Sequence, residues 1–141
     1  MKPRAQDRHE LSDLDYQHLA AFRHALRTFL RFSEEAARAE GLTPHQHQLL
    51  LAVRGWPQPS APAISDLAEM LQLRHHSTVE LAQRAGAAGL VEFHTDPDDH
   101  RRQLIRLTVL GDTKLEALSV LHRDELRRFR SRFAELLDGL D

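Results

Sequence analysis

The sequence predicts a mainly α chain with one small β-hairpin, an α+β arrangement. Three observations predict it. Residues 13–39 and 110–140 each repeat apolar side chains at helical steps. Between them, two short helical segments meet at a tight turn. After Gly89 the pattern changes to strand-turn-strand and stays so until Thr108.

A chain of 141 residues suits one domain. It is 41% apolar and 28% charged, enough to bury a modest core. No apolar run approaches the roughly 18 residues that cross a bilayer. The polar start, Met1-Lys2-Pro3-Arg4, lacks the apolar stretch of a signal peptide, so the expectation is a cytoplasmic protein with no membrane partner. The absence of cysteine excludes disulfides, thiolate metal sites, cysteine nucleophiles and thiol redox sensing. Net charge is −2, so a nucleic-acid partner must be argued from local arrangement.

The first helix, 13–39, places Tyr16, Leu19, Phe22, Leu26, Phe29 and Leu30 on one stripe. Asp13 can cap its start, and Glu40-Gly41 ends it. Thr43-Pro44-His45-Gln46 is a capping box with Pro at the first helical position. Leu49, Leu50 and Val53 give that helix its apolar face. Gly55, Pro57, Pro59 and Pro62 then break the chain. Ile64 reads as a short edge strand, and Ser65 as the cap of a short helix through Leu71. A turn around Leu73-Arg74-His75 leads into a helix ending before Gly89. Leu81, Ala82 and Ala85 face inward, and Gly86 weakens this helix by about 1 kcal/mol relative to Ala.

Leu90–Thr95 and Gln103–Thr108 read as paired strands around the turn Asp96-Pro97-Asp98-Asp99. Thr108 can cap the last helix, read as bent. Its stripe of Leu115, Leu118, Leu126, Phe129, Phe133, Leu137 and Leu140 is nearly a heptad seam. No Gly-rich phosphate loop, zincin motif or nucleophile elbow occurs. The acidic turn is no enzyme site, since an exposed hairpin tip excludes no water.

This order of elements is a winged helix-turn-helix, residues 42–110, flanked by helical dimerisation regions at 13–40 and 111–141 within a single domain, 1–141. The second short helix would enter a DNA major groove and the hairpin would be the wing. From Leu42 to Gly111 the residues resemble the MarR family of bacterial transcriptional regulators. The matching stretches are GLTPHQHQLLLAV, ISDLAEML, HHSTVELAQR and GLVEFHTDPDDHRRQLIRLTVLG. The sharpest is the wing signature Asp99-His100-Arg101-Arg102, followed by Leu107-Thr108 and Gly111.

The resemblance implies a DNA-binding regulator, a ligand-responsive repressor that acts as a homodimer on a pseudo-palindromic operator. Arg101 is the candidate for the minor groove, whose narrow walls concentrate negative potential. Asp99 can hold its guanidinium bidentately. Arg102 either pairs back into the protein or touches phosphate. In the recognition helix, Arg74, His75, His76, Ser77 and Thr78 sit at the N-terminal turn, where backbone N–H groups favour phosphate. Ser77 also begins a Ser-x-x-Glu capping box, so it either caps or contacts DNA. Arg84 either reaches phosphate or supports the fold. Glu80 stands where the family often carries a basic residue, and residues 72–106 hold five arginines against five acidic residues. Binding therefore depends on placed contacts rather than a basic patch.

The 111–141 stripe is too apolar to stay exposed, and it should pack on residues 13–39 of a second subunit. By resemblance, a small aromatic or phenolic acid would bind among Phe22, Leu26, His47, Leu50 and Leu115. Ten histidines are present, but His45 and His47 do not share a helix face, and no full ligand set emerges. His122 interrupts the last stripe at the expected dimer seam. No metal or other cofactor is expected. The alternatives are a winged-helix protein-interaction module without DNA binding, and a zinc-responsive regulator.

Overall fold

The structure, a computed structural model, describes residues 10–140. Its elements run α1 (Asp13–Ala39), α2 (Pro44–Arg54), α3 (Ile64–Leu71), α4 (His75–Ala87), β1 (Val91–Thr95), β2 (Gln103–Leu107) and α5 (Val109–Asp138). The mainly helical fold with one hairpin is as the sequence predicts. The bend expected in the last segment is not an interruption, since α5 is one helix. Two compact units form, residues 33–122 and residues 10–32 with 123–140.

In the first unit, α2 opens with the predicted capping box. The Gln46 N–H donates to Thr43 Oγ1 at 3.1 Å, and the Thr43 N–H donates to Gln46 Oε1 at 3.0 Å. Leu49, Leu50, Leu67, Ile105 and Leu118 are fully buried, and they join Leu42, Val53, Ala82, Ala85, Leu90, Val91 and Leu115 in one core. Burying each large aliphatic side chain contributes about 1.5–3 kcal/mol. This core seats α4 and the hairpin on a common base.

The start of α3 differs from the sequence reading. Ile64 is its first helical residue, and the strand-like contact is a bridge between Ala63 and Leu104. Ser65 does not cap it. Asp66 does, accepting the Ala63 N–H at 2.9 Å, because a carboxylate at the third position reaches back to the entering chain. Similarly, Ser12 and not Asp13 caps α1: the Asp15 N–H donates to Ser12 Oγ and the Ser12 N–H to Asp15 Oδ2.

The strands pair antiparallel with Val91 opposite Leu107 and Thr95 opposite Gln103. Gly89 enters them at φ +75°, a left-handed geometry that frees the Leu90 N–H to reach the Ala85 carbonyl at 2.9 Å. Thr108 then closes the base. Its hydroxyl donates to the Gly89 carbonyl at 2.6 Å and accepts the Gly111 N–H at 3.1 Å, capping α5 as predicted. Gly111 lies so close to the Leu90 carbonyl that an added Cβ would sit 2.1 Å from that oxygen.

In the second unit, Phe22 meets Phe133 edge-on with ring centroids 6.1 Å apart, and Phe29 meets Phe129 in the same way. The aromatic half of the predicted stripe thus meets α1 of the same chain. Leu19, Leu26, Leu30, Leu126, Leu137 and Leu140 remain exposed.

Candidate nucleic-acid interface

Wing geometry starts with its turn. The Asp96 N–H donates to the Arg102 carbonyl and the Arg102 N–H to the Asp99 carbonyl, both at 2.9 Å. The Asp98 N–H reaches Asp96 Oδ1 at 2.9 Å. These bonds fold the tip so that Asp99 faces Arg101. Arg101 Nε donates to Asp99 Oδ1 at 3.0 Å and Nη2 to Oδ2 at 3.3 Å, the bidentate fork predicted from spacing. The Arg101 side chain is 90% exposed, while that of Asp99 is 33% exposed. The guanidinium therefore projects, and the carboxylate positions it. The same bonds from the Arg101 side chain and backbone hold the Asp99 carboxyl below its ordinary pKa.

Arg102 takes the inward alternative. Its Nη2 lies 3.2 Å from Asp66 Oδ2. The wing is thereby tied to the helix preceding the recognition helix.

Helix α4, the expected recognition helix, begins at His75, with Arg74 at its N-cap and no side-chain cap. The open first-turn amides suit a phosphate. Arg74, His75, His76 and Arg84 are exposed, and Ser77 is partly so. Because the helix starts at His75, Ser77 lies inside it and does not cap it. Thr78 requires a correction. It is fully buried, and its hydroxyl donates to the Arg74 carbonyl at 2.9 Å, so it braces the helix and offers nothing to DNA. Sequence alone could have flagged it: four residues before Ala82 and seven before Ala85, it shares their inward face. Glu80 is exposed and, among the described residues, makes no ion pair with Arg84. Leu73, Ser77, Glu80, Leu81 and Arg84 also border a cleft of about 440 Å³ against the first turn of α2.

The residues expected to line an effector pocket fall in both units, Phe22 and Leu26 in one and His47, Leu50 and Leu115 in the other. Leu50 and Leu115 are sealed in the core, because both belong to the apolar faces that seat α4 and the hairpin. Phe22 packs on Phe133, and Leu26 is exposed. His47 is buried, its ring 4.7 Å from that of His122. Burial first, and the neighbouring imidazole second, push its pKa down to about 4. His122, expected at a subunit seam, turns inward. Its Nδ1 lies 2.6 Å from the Leu118 carbonyl, which only accepts, so Nδ1 carries the proton. Its Nε2 lies 2.7 Å from Ser33 Oγ. Sequence reasoning missed this three-residue contact because its partners lie on three different helices. Among the described residues, no group of three or more metal-ligating side chains forms. Among them too, no helix is long and apolar enough to cross a membrane.

The MarR family model matches residues 40–102, from the end of α1 to the wing tip. The fold is similar to that of a MarR family transcription regulator at 27% identity, covering 87% of this chain and 81% of that one, with a TM-score of 0.74. It is also similar to a mutant MepR of S. aureus bound to an oligodeoxyribonucleotide (19% identity, 94% and 100% covered, TM-score 0.67). A third likeness is to CouR from Rhodococcus jostii RHA1 bound to p-coumaroyl-CoA (20% identity, 80% and 81% covered, TM-score 0.65). No curated protein matches the sequence.

Proposed function

We propose that the chain is a member of the MarR family, whose model matches residues 40–102, and a sequence-specific DNA-binding transcriptional regulator, a ligand-responsive repressor working as a homodimer. One observation carries the reading: a guanidinium at the wing tip, almost wholly exposed, is held in a fixed direction by Asp99. A cation so placed suits the narrow, negative minor groove, and its fixed orientation lowers the entropy lost on binding.

The uncapped start of α4 supports major-groove docking, with Arg74, His75, His76, Ser77 and Arg84 offered to phosphates and base edges. Exposed leucines along α1 and α5 support a two-fold partner, which would set two recognition helices about one DNA turn apart. MepR, bound to an oligodeoxyribonucleotide, shares the fold. So does CouR with its p-coumaroyl-CoA, which supports an aromatic or phenolic acid class of effector; such a ligand would shift the population of DNA-competent dimers.

A mobility-shift assay on the DNA upstream of this protein's own gene, with and without aromatic acids, tests the reading. A retarded complex lost in Arg101→Ala supports it. Glu80, exposed on α4, favours one second reading: a winged helix serving a protein partner. In that case Arg101→Ala leaves partner binding intact and no DNA complex forms.

A further inference from the structure

Helix α4 is engaged on three sides. Thr78, Ala82 and Ala85 turn one side into the core. Gly86 meets the wing, where an added Cβ would stand 2.9 Å from the ring of Phe93. Ser77, Leu81 and Arg84 border the cleft against the first turn of α2, which Glu80 also borders. The remaining side carries His76, Glu80, Gln83 and Ala87, all exposed. Glu80 stands near its middle, two residues beyond Thr78 and so about 160° around the helix from it.

Among the described residues, no hydrogen bond or ion pair engages the Glu80 carboxylate. Arg84 lies four positions on, where a helix allows a pair, and does not form one. The acid is presented open, on the side that major-groove docking turns toward base edges.

In that groove a carboxylate is selective. Guanine shows the acceptors O6 and N7, and thymine the acceptor O4. Each repels a carboxylate and leaves it desolvated without a donor. Adenine sets its amine beside the acceptor N7, which opposes a second carboxylate oxygen. Cytosine offers its N4 amine with no acceptor of its own in the groove.

We propose that Glu80 fixes a C·G pair in each half-site by accepting the cytosine N4 amine. The inference rests on the DNA-binding reading above and supplies part of its sequence specificity. It also gives a role to the acid on α4 in a region whose arginines and acidic residues balance. Phosphate and minor-groove contacts hold the duplex, and Glu80 rejects the wrong base.

Selection from a pool of randomised duplexes, with the unmodified chain and with Glu80→Ala, tests it. The unmodified chain should enrich a cytosine at one position of each half-site, and Glu80→Ala should not. On the selected duplex, replacing that C·G pair by T·A should weaken the unmodified chain about tenfold or more, and Glu80→Ala by less than about twofold. N4-methylcytosine keeps the base pair but blocks the groove-facing N–H, so it should repeat the T·A result in both proteins. Glu80 is exposed, so the thermal unfolding of Glu80→Ala should match that of the unmodified chain. Equal losses in the two proteins overturn the proposal. So does a Glu80→Ala chain that binds every duplex more tightly alike, which would make Glu80 a plain repulsion of phosphate. Where DNA binding that depends on Arg101 persists in either case, the regulator reading stands and this inference alone falls. If the unmodified chain retains no duplex, both fall, and Glu80 belongs to a surface for a protein partner.

Discussion

Arg102 Nη2 lies 3.2 Å from Asp66 Oδ2, the same oxygen that accepts the Ala63 N–H at 2.9 Å. One carboxylate thus caps α3 and holds the wing to it. Loss of a cap costs roughly 1 kcal/mol, and a half-exposed ion pair is worth at most about 1 kcal/mol. Asp66→Ala should therefore destabilise by about 1–2 kcal/mol in urea denaturation, and Arg102→Ala by about half of that or less. A double-mutant cycle should give a coupling of about 0.2–1 kcal/mol. Additive effects would show that the clasp contributes nothing.

Gly111 and Gly86 are both glycines of the winged region, yet they should respond oppositely to alanine. A Cβ on Gly111 meets the Leu90 backbone oxygen, which is already bound to the Thr108 N–H and cannot yield. Gly111→Ala should cost about 3 kcal/mol or more. A Cβ on Gly86 meets the ring of Phe93 at 2.9 Å, but Phe93 is 40% exposed and can swing away. The gain in helix propensity, about 1 kcal/mol, then offsets the shift. Gly86→Ala should change stability by less than about 1 kcal/mol, read from the same denaturation curves.

His47 should make the fold acid-sensitive. Its pKa falls from 6.5 to about 4 on burial, so the unfolded chain takes up the proton first as pH drops. Its contribution is complete above pH 6.5 and declines as pH falls toward 4. The loss is about 2–3 kcal/mol over that window. Urea midpoints measured from pH 7 to pH 4 should show this decline, and His47→Leu should flatten it. An equal slope in both proteins would contradict the assignment.

The exposed leucines of α1 and α5 predict self-association. Light scattering should give twice the 16.2 kDa chain mass, and Leu126→Glu should shift the equilibrium toward monomer. A stable monomer for the unmodified chain would remove the two-fold docking scheme.

The elements that follow from local chemistry were legible in the sequence. The Thr43 capping box, the Gly41 and Gly89 helix ends, the Thr108 cap and the Asp99–Arg101 fork all join residues within a few positions, where spacing dictates reach. What the sequence hid depends on tertiary placement or on unusual backbone. The turn before α4 uses Gln72 at φ 54° where glycine would be the ordinary signal, so the sequence leaves the helix start open and with it whether Ser77 caps. Thr78 looked like a polar contact until the core face of α4 was fixed. Asp66 was not singled out, because its partner Arg102 lies 36 positions away. The burial of Leu50 and Leu115 is hidden for the same kind of reason: it follows from the packed core and not from spacing along the chain.

The most direct test is a fluorescence-anisotropy titration of labelled upstream DNA at several salt concentrations, with the unmodified chain and with Arg101→Ala. The account predicts that affinity falls as salt rises. Arg101→Ala should weaken binding about tenfold or more and reduce the salt slope by about one, with thermal stability unchanged. DNA binding indifferent both to salt and to the loss of Arg101 would contradict it.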